Sequence, residues 1–152
     1  MYNKNTNKFI IIYTDGACKG NPGPGGWGVL IENIEKKKIE LSGFEKSTTN
    51  NRMEIKAAIM GLKFFKKKTD IQLNTDSNYL KSGITDWINK WKVNNWKNAN
   101  KKDVKNKDLW MELDKLNAFH NIEWKWVKAH DGIEGNEKAD QIACRAIDKN
   151  LM

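Results

Sequence analysis

The chain has 152 residues and two cysteines, and its 27 Lys and Arg outnumber its 19 Asp and Glu to give a net charge of +8. The length suits one domain, residues 1–152, with a substantial core, and the charge points to a polyanion such as nucleic acid as partner. Cys18 and Cys144 without CxxC spacing exclude a disulfide framework or a cysteine zinc site, and a polar Met1–Lys8 segment excludes a signal peptide, so a cytoplasmic protein with no membrane partner is the expectation.

Phe9 to Tyr13 is continuous, β-branched and aromatic, which predicts a central strand buried on both faces. Asp15 to Gly26 reads as a Gly/Pro-rich loop. Trp27 to Glu32 and Lys38 to Phe44 read as two further strands in a meander with the first. Ala57, Ala58, Gly61, Leu62 and Phe65 recur at helical spacing, predicting a helix over Asn50 to Lys67. A short strand follows from Ile71 to Thr75, then a helix over Ser77 to Lys90 broken at Gly83. Lys92 to Lys102 is polar and basic around Trp96.

Lys105 to Ala118 reads as a helix with Asn106 as N-cap and Leu109, Leu113 and Leu116 on one face. Ile122 to Val127 alternates as a strand does. Ala129 to Gly135 reads as a loop, and Asn136 to Lys149 as a final amphipathic helix. Strands first, then strands alternating with helices, predict a mixed α/β sheet, in which sites gather beyond the carboxyl ends of parallel strands.

Four acids stand out in this frame. Asp15 and Asp76 each end a buried strand, Glu54 opens a helix, and Asp140 lies on the last one. A carboxylate at the end of a central strand is costly without a partner, and several that converge suit a hard divalent cation. Each acid alone has a simpler explanation. Asp15-Gly16 is a turn pair; Glu54 three residues after Asn51 matches a capping box; Asp76-Ser77 can cap the next helix; Asp140 can be solvated. His130, in Ala-His-Asp-Gly, can be an ordinary loop histidine.

The segments TDGACKGNPGPGGWG (Thr14 to Gly28), TTNNRMEIKAA (Thr48 to Ala58), TDSNYLKSGITDWINKW (Thr75 to Trp91), VKNKDLW (Val104 to Trp110) and WVKAHDGIEGNEKADQIA (Trp126 to Ala143) together resemble the type 1 ribonuclease H family, of the stand-alone bacterial kind. The resemblance runs nearly the whole length, and TNNRME with the histidine loop and the Asn-Glu-x-x-Asp helix start is its most specific part. It implies a ribonuclease H-like fold: a five-stranded mixed sheet, its first three strands antiparallel, flanked by helices. It implies endonucleolytic hydrolysis of the RNA strand of RNA–DNA hybrids, leaving 5′-phosphate and 3′-hydroxyl ends. The family's four carboxylates fall on Asp15, Glu54, Asp76 and Asp140, and its mobile-loop histidine on His130.

Two Mg²⁺ ions about 4 Å apart, with Mn²⁺ as a substitute, suit such chemistry. The expected arrangement has Asp15 bridging both, Asp76 and Asp140 completing one and Glu54 sharing the other. Crowded carboxylates without substrate should hold protons unusually readily and bind metal weakly. His130 is expected to transfer a proton or help product and metal leave, without being a ligand.

For the substrate, the resemblance places Cys18, Asn21, Asn50 and Asn51 in the minor groove, where the RNA 2′-hydroxyl is read. It places Trp91 against deoxyribose and a phosphate pocket at Thr49 and Asn106. It makes residues 87–102 a basic handle, with Lys92, Lys97, Lys101 and Lys102 as its charges and Trp87, Trp91 and Trp96 as stiffness and contact surface; the simpler reading, preferred for Trp87 and Trp96, is that these two anchor a small core. Ser47 stands where some relatives carry Arg, and Ala129 where relatives often have Gly; Asp131 beside His130 would favour the imidazolium. Two other classes compete: a sister nuclease on the same sheet, and a hybrid-binding module without turnover. A monomer with no obligate protein partner is expected.

Overall fold

The computed structural model describes residues 9–128 and 132–151. Five strands form one sheet in the order β3-β2-β1-β4-β5. They are β1 (Ile10–Cys18), β2 (Gly23–Glu32), β3 (Lys38–Thr48), β4 (Asp70–Thr75) and β5 (Asn121–Trp126). β1, β2 and β3 are antiparallel neighbours, whereas β4 runs parallel to β1 and β5 parallel to β4. The helices are α1 (Asn50–Lys63), α2 (Asn78–Ser82), α3 (Ile88–Val93), α4 (Lys107–Phe119) and α5 (Glu134–Leu151), with one π-helical turn at Gly83–Trp87.

The expected mixed sheet is present, but several boundaries differ for identifiable reasons. The segment read as a Gly/Pro loop is mostly strand: Asp15 to Cys18 pair with Gly28 to Gly25, and Lys19 to Pro22 alone connect them. The glycines serve close packing instead. A Cβ on Gly16 would lie 2.5 Å from the Glu54 backbone nitrogen, and one on Gly26 2.6 Å from the Ala143 carbonyl oxygen. α1 stops at Lys63, four residues short of expectation, because the chain then turns through Phe64 and Phe65 toward β4. Gly83 does not break its helix. α2, the π turn and α3 run on without interruption, and the ring of Trp110 fills the space a Gly83 side chain would need.

The sheet's two faces are covered by different helices. Ile12 and Val29 meet Gly61 of α1, while Tyr13 and Gly28 meet Gly135 and Ala139 of α5. The core on the α1 side contains Ile12, Val29, Ile55, Leu62, Leu73, Leu80, Trp110 and Leu113, all buried. His120 ties the rear of this layer together: Thr69 N–H donates to its Nδ1 at 3.1 Å, which leaves Nε2 to donate to the Leu62 carbonyl at 3.0 Å. No described helix is long and apolar enough to cross a membrane.

Candidate active site

The carboxyl ends of β1 and β4 open at the same edge because the two strands are parallel. That register brings Asp15, near the end of β1, beside Asp76, which directly follows β4. α1 delivers the third acid. Its N-cap is Thr49, whose Oγ1 accepts from Arg52 N–H at 3.2 Å, so Glu54 is not needed to cap the helix and the Asn51–Glu54 capping box does not form. The Glu54 carboxylate turns to the sheet and accepts from Gly16 N–H at 3.1 Å. The close approach at Gly16 makes that bond feasible.

Oxygens of Asp15, Glu54 and Asp76 lie within 4.8 Å of one another. Asp140 joins from α5, its side chain in hydrogen-bonding reach of Asp15. Thus all four sequence-predicted acids meet, three in one tight group and Asp140 against its Asp15 edge. Asp15 and Glu54 are buried, at 6 and 7% exposure. Burial pushes the Asp15 carboxyl up to about 10, with the charges of Glu54 and Asp76 and the Asp140 contact adding to it. Burial likewise pushes Glu54 up to about 8, with Asp76 adding and the Gly16 hydrogen bond opposing. No described Lys or Arg forms an ion pair with any of these acids. Oxygen donors in this density, buried and uncompensated, fit a divalent cation.

Of the other candidates, His130 lies outside the described residues, with Ala129 and Asp131. Cys18 is half-buried at the end of β1, its thiol donating to Gly23 and Thr48 carbonyls at 3.5 and 3.4 Å, and burial pushes its pKa up. Asn21 Oδ1 accepts from Asn50 N–H at 3.0 Å, so the β1–β2 turn is fastened to the start of α1, and Asn21, Asn50 and Asn51 are all exposed there.

Asn106 does not cap α4 with its side chain. It sits in the left-handed region at φ 62° just before the helix, and its carboxamide faces inward. Arg52 Nη1 donates to Asn106 Oδ1 at 3.1 Å, and Asn106 Nδ2 donates to the Tyr79 hydroxyl at 2.9 Å, which also accepts from Trp110 Nε1 at 3.2 Å. Arg52 additionally grips Asp108 with both terminal nitrogens, at 3.1 and 2.8 Å. Arg52 is therefore a cation beside Thr49 and Asn106 that reading the sequence passed over; its place inside TNNRME was the available signal.

Trp91 is half-buried, its ring 5.7 to 6.1 Å from those of Trp87, Trp96 and Trp110. Trp87 and Trp96 pack against the core as small-core anchors. The handle is pinned by Val104 N–H to the Trp96 carbonyl and by an isolated bridge between Lys97 and Asp103. Lys92 pairs with Asp114 at 3.3 Å and Lys97 with Asp103 at 2.6 Å, while Lys101 and Lys102 form no ion pair among the described residues. Beside Asp76, a cavity of about 230 Å³ is lined by Ser77, Asn78, Lys81, Trp126 and Lys128. A larger one, about 520 Å³, lies by Tyr13, Glu32 and Glu134, away from the four acids.

Residues 7–148 match the RNase H family model. A ribonuclease H of Francisella philomiragia is 56% identical over 147 residues, covering 97% of this chain and 95% of the relative. A ribonuclease H of Pseudomonas fluorescens is 55% identical over 142 residues, covering 92 and 93%. Among solved structures, LC9-RNase H1, described as a type 1 RNase H with the type 2 active-site motif, superposes with a TM-score of 0.83 at 29% identity, over 97% of this chain and 75% of that one. LC11-RNase H1 in complex with RNA/DNA hybrid gives 0.72 at 27% identity, over 94 and 99%. With the sheet order, the converging acids and these matches together, the chain belongs to the RNase H family and is a type 1 ribonuclease H.

Proposed function

We propose that this enzyme cuts the RNA strand of RNA–DNA hybrids internally and leaves 5′-phosphate and 3′-hydroxyl ends, using two Mg²⁺ ions that Mn²⁺ can replace. The observation that carries the reading is the group of Asp15, Glu54 and Asp76 oxygens within 4.8 Å at the mouth of the parallel strands. When bound, a divalent pair supplies an activated water and neutralises the charge that develops on the leaving 3′ oxygen. Asp15 would be the central holder of the metal, since the Glu54, Asp76 and Asp140 carboxylates all act on its charge. The bond from Gly16 fixes the Glu54 carboxylate before substrate arrives. Because burial raises the proton affinities of Asp15 and Glu54, metal binding by the free protein would be weak and would release protons.

Cys18, Asn21, Asn50 and Asn51 are the residues proposed to read the RNA minor groove. Thr49 and Asn106 are proposed to receive a DNA phosphate, with Arg52 completing the pocket in place of a cation at Ser47. Trp91 is proposed to pack on deoxyribose, and Lys92 and Lys97 to follow the backbone. His130 is proposed as the proton-transfer group, so that His130→Ala slows turnover without abolishing it. The working form is taken as a cytoplasmic monomer.

The deciding experiment is cleavage of a labelled hybrid with Mg²⁺ and with chelator, alongside duplex DNA, duplex RNA and the Asp15→Asn variant. RNA-strand cuts in the hybrid alone, dependent on metal and on Asp15, are the expected result. Binding without cuts would leave a hybrid-binding module, and cuts in another duplex would reassign the substrate.

A further inference from the structure

Asn136 sits in the first turn of α5, one helical turn before Asp140, and is 3% exposed. Its Nδ2 donates to Asp76 Oδ2 at 3.3 Å. Among the described residues this is the side-chain hydrogen bond that reaches the Asp76 carboxylate, and it spans 60 positions of sequence. The other end of the same amide is unusual. Asn136 Oδ1 is buried and accepts from no group among the described residues. Buried carboxamide oxygens are nearly always satisfied, so an orphan at a working site calls for a specific donor. Capping does not account for the residue, because its side chain makes no bond to the backbone of α5 among the described contacts.

A donor is at hand in the proposed chemistry. A divalent cation held by Asp76 keeps part of its hydration shell, and those waters are strong hydrogen-bond donors. We propose that Asn136 is a positioning residue of the metal centre: Nδ2 fixes the Asp76 carboxylate, and Oδ1 accepts from a water carried by the ion that Asp76 binds. This rests on the metal-dependent reading above and deepens it. The amide is suited to both tasks at once. An Asp in its place would keep the acceptor, lose the donor and add another negative charge to an already crowded cluster. Outer contacts of this kind orient ligands, and losing them weakens metal binding by about 10- to 100-fold.

The test is a Mg²⁺ titration of the free protein, followed by NMR and by calorimetry, for wild type, Asn136→Ala and Asn136→Asp. Asn136→Ala should bind Mg²⁺ at least about 10-fold more weakly, with hybrid affinity in chelator unchanged. Its Mg²⁺ requirement for activity should rise by the same factor, and Asn136→Asp should not rescue it. In wild type, the Asn136 side-chain amide resonance should move along the same saturation curve as Asp76. Unaltered Mg²⁺ affinity in Asn136→Ala would overturn the proposal. If that variant does not fold, a wild-type Asn136 amide signal that stays still while Mg²⁺ saturates Asp76 would overturn it equally. Failure of the wild type to cut hybrid, by contrast, would remove the substrate assignment while leaving the Mg²⁺ titration to report on Asn136.

Discussion

Two polar clusters flank the start of α1, and they are built on opposite electrostatic plans. On the sheet side, Asp15, Glu54, Asp76 and Asp140 crowd together with no cation among the described side chains to compensate them. On the α4 side, the charge of Arg52 is balanced by Asp108, and a chain of bonds runs from Arg52 through Asn106 and Tyr79 to Trp110. The first cluster is stable only if it holds protons or a metal; the second is charge-balanced as it stands. A cluster held in unfavourable charge is one the fold supports for something outside itself, whereas a satisfied network can hold a shape but must exchange partners to bind an anion.

The sharpest way to break this contrast is Asp15→Asn. Cleavage should fall by on the order of 10³-fold or more, since the central ligand and its charge are lost together. The same variant should raise the melting temperature in chelator near neutral pH by about 3–8 °C, because an amide is buried without the proton that the Asp15 carboxyl must take up on folding. A variant that is inactive and also less stable would mean that Asp15 belongs to the scaffold.

The pH dependence follows from the same cluster. Asp15 and Glu54 have folded values above those of an unfolded chain, at about 10 and about 8. Their contribution to stability is fully present below about pH 4 and is lost as pH rises through the folded values. Thermal melts in chelator should therefore show stability falling from about pH 5 to pH 9 relative to Asp15→Asn, with Mg²⁺ opposing the fall at the alkaline end. A wild-type curve parallel to that of Asp15→Asn would contradict the assigned burial.

The satisfied network should respond more modestly. Arg52→Ala should cost about 0.5–1 kcal/mol of stability, since its partner Asp108 is 65% exposed, measured by urea denaturation. Its hybrid affinity should weaken several-fold, whereas an unchanged affinity would limit Arg52 to structure. The smallest effects are expected at the handle, and they should be unequal. Lys101→Gln and Lys102→Gln should each flatten the salt dependence of hybrid binding by nearly one unit of slope. Lys92→Gln and Lys97→Gln should flatten it less, because both already face carboxylates.

Much of this molecule was legible locally. The continuous apolar run Phe9 to Tyr13 marked β1 and the short segment before Asp76 marked β4, and the TNNRME and Asn-Glu-x-x-Asp segments marked the helices that meet them. The boundaries that eluded pattern reading are instructive. Gly16, Gly25 and Gly26 look like a loop because glycine usually marks one, yet here they are strand residues lying against α1 and α5. Gly83 looks like a break because nothing in the local sequence announces that the Trp110 ring will pack over it. Asn106 does stand at the N-cap position of α4, but its side chain makes no capping bond and is drawn instead to Arg52 and Tyr79, 54 and 27 positions away.

The amino-acid sequence by itself determined the order of strands and helices, the identity of the four acids and the family to which they point, since periodicity and motif are properties of neighbouring residues. Only the tertiary structure decided that Glu54 would be held by Gly16 across 38 positions, that Asn136 would hold Asp76 across 60, and that Asp15 would be buried among like charges. Those are consequences of parallel pairing and of helices seated on opposite faces of one sheet. Proton affinity in particular depends on what surrounds a carboxyl in space, and no stretch of chain around Asp15 contains the groups that set it.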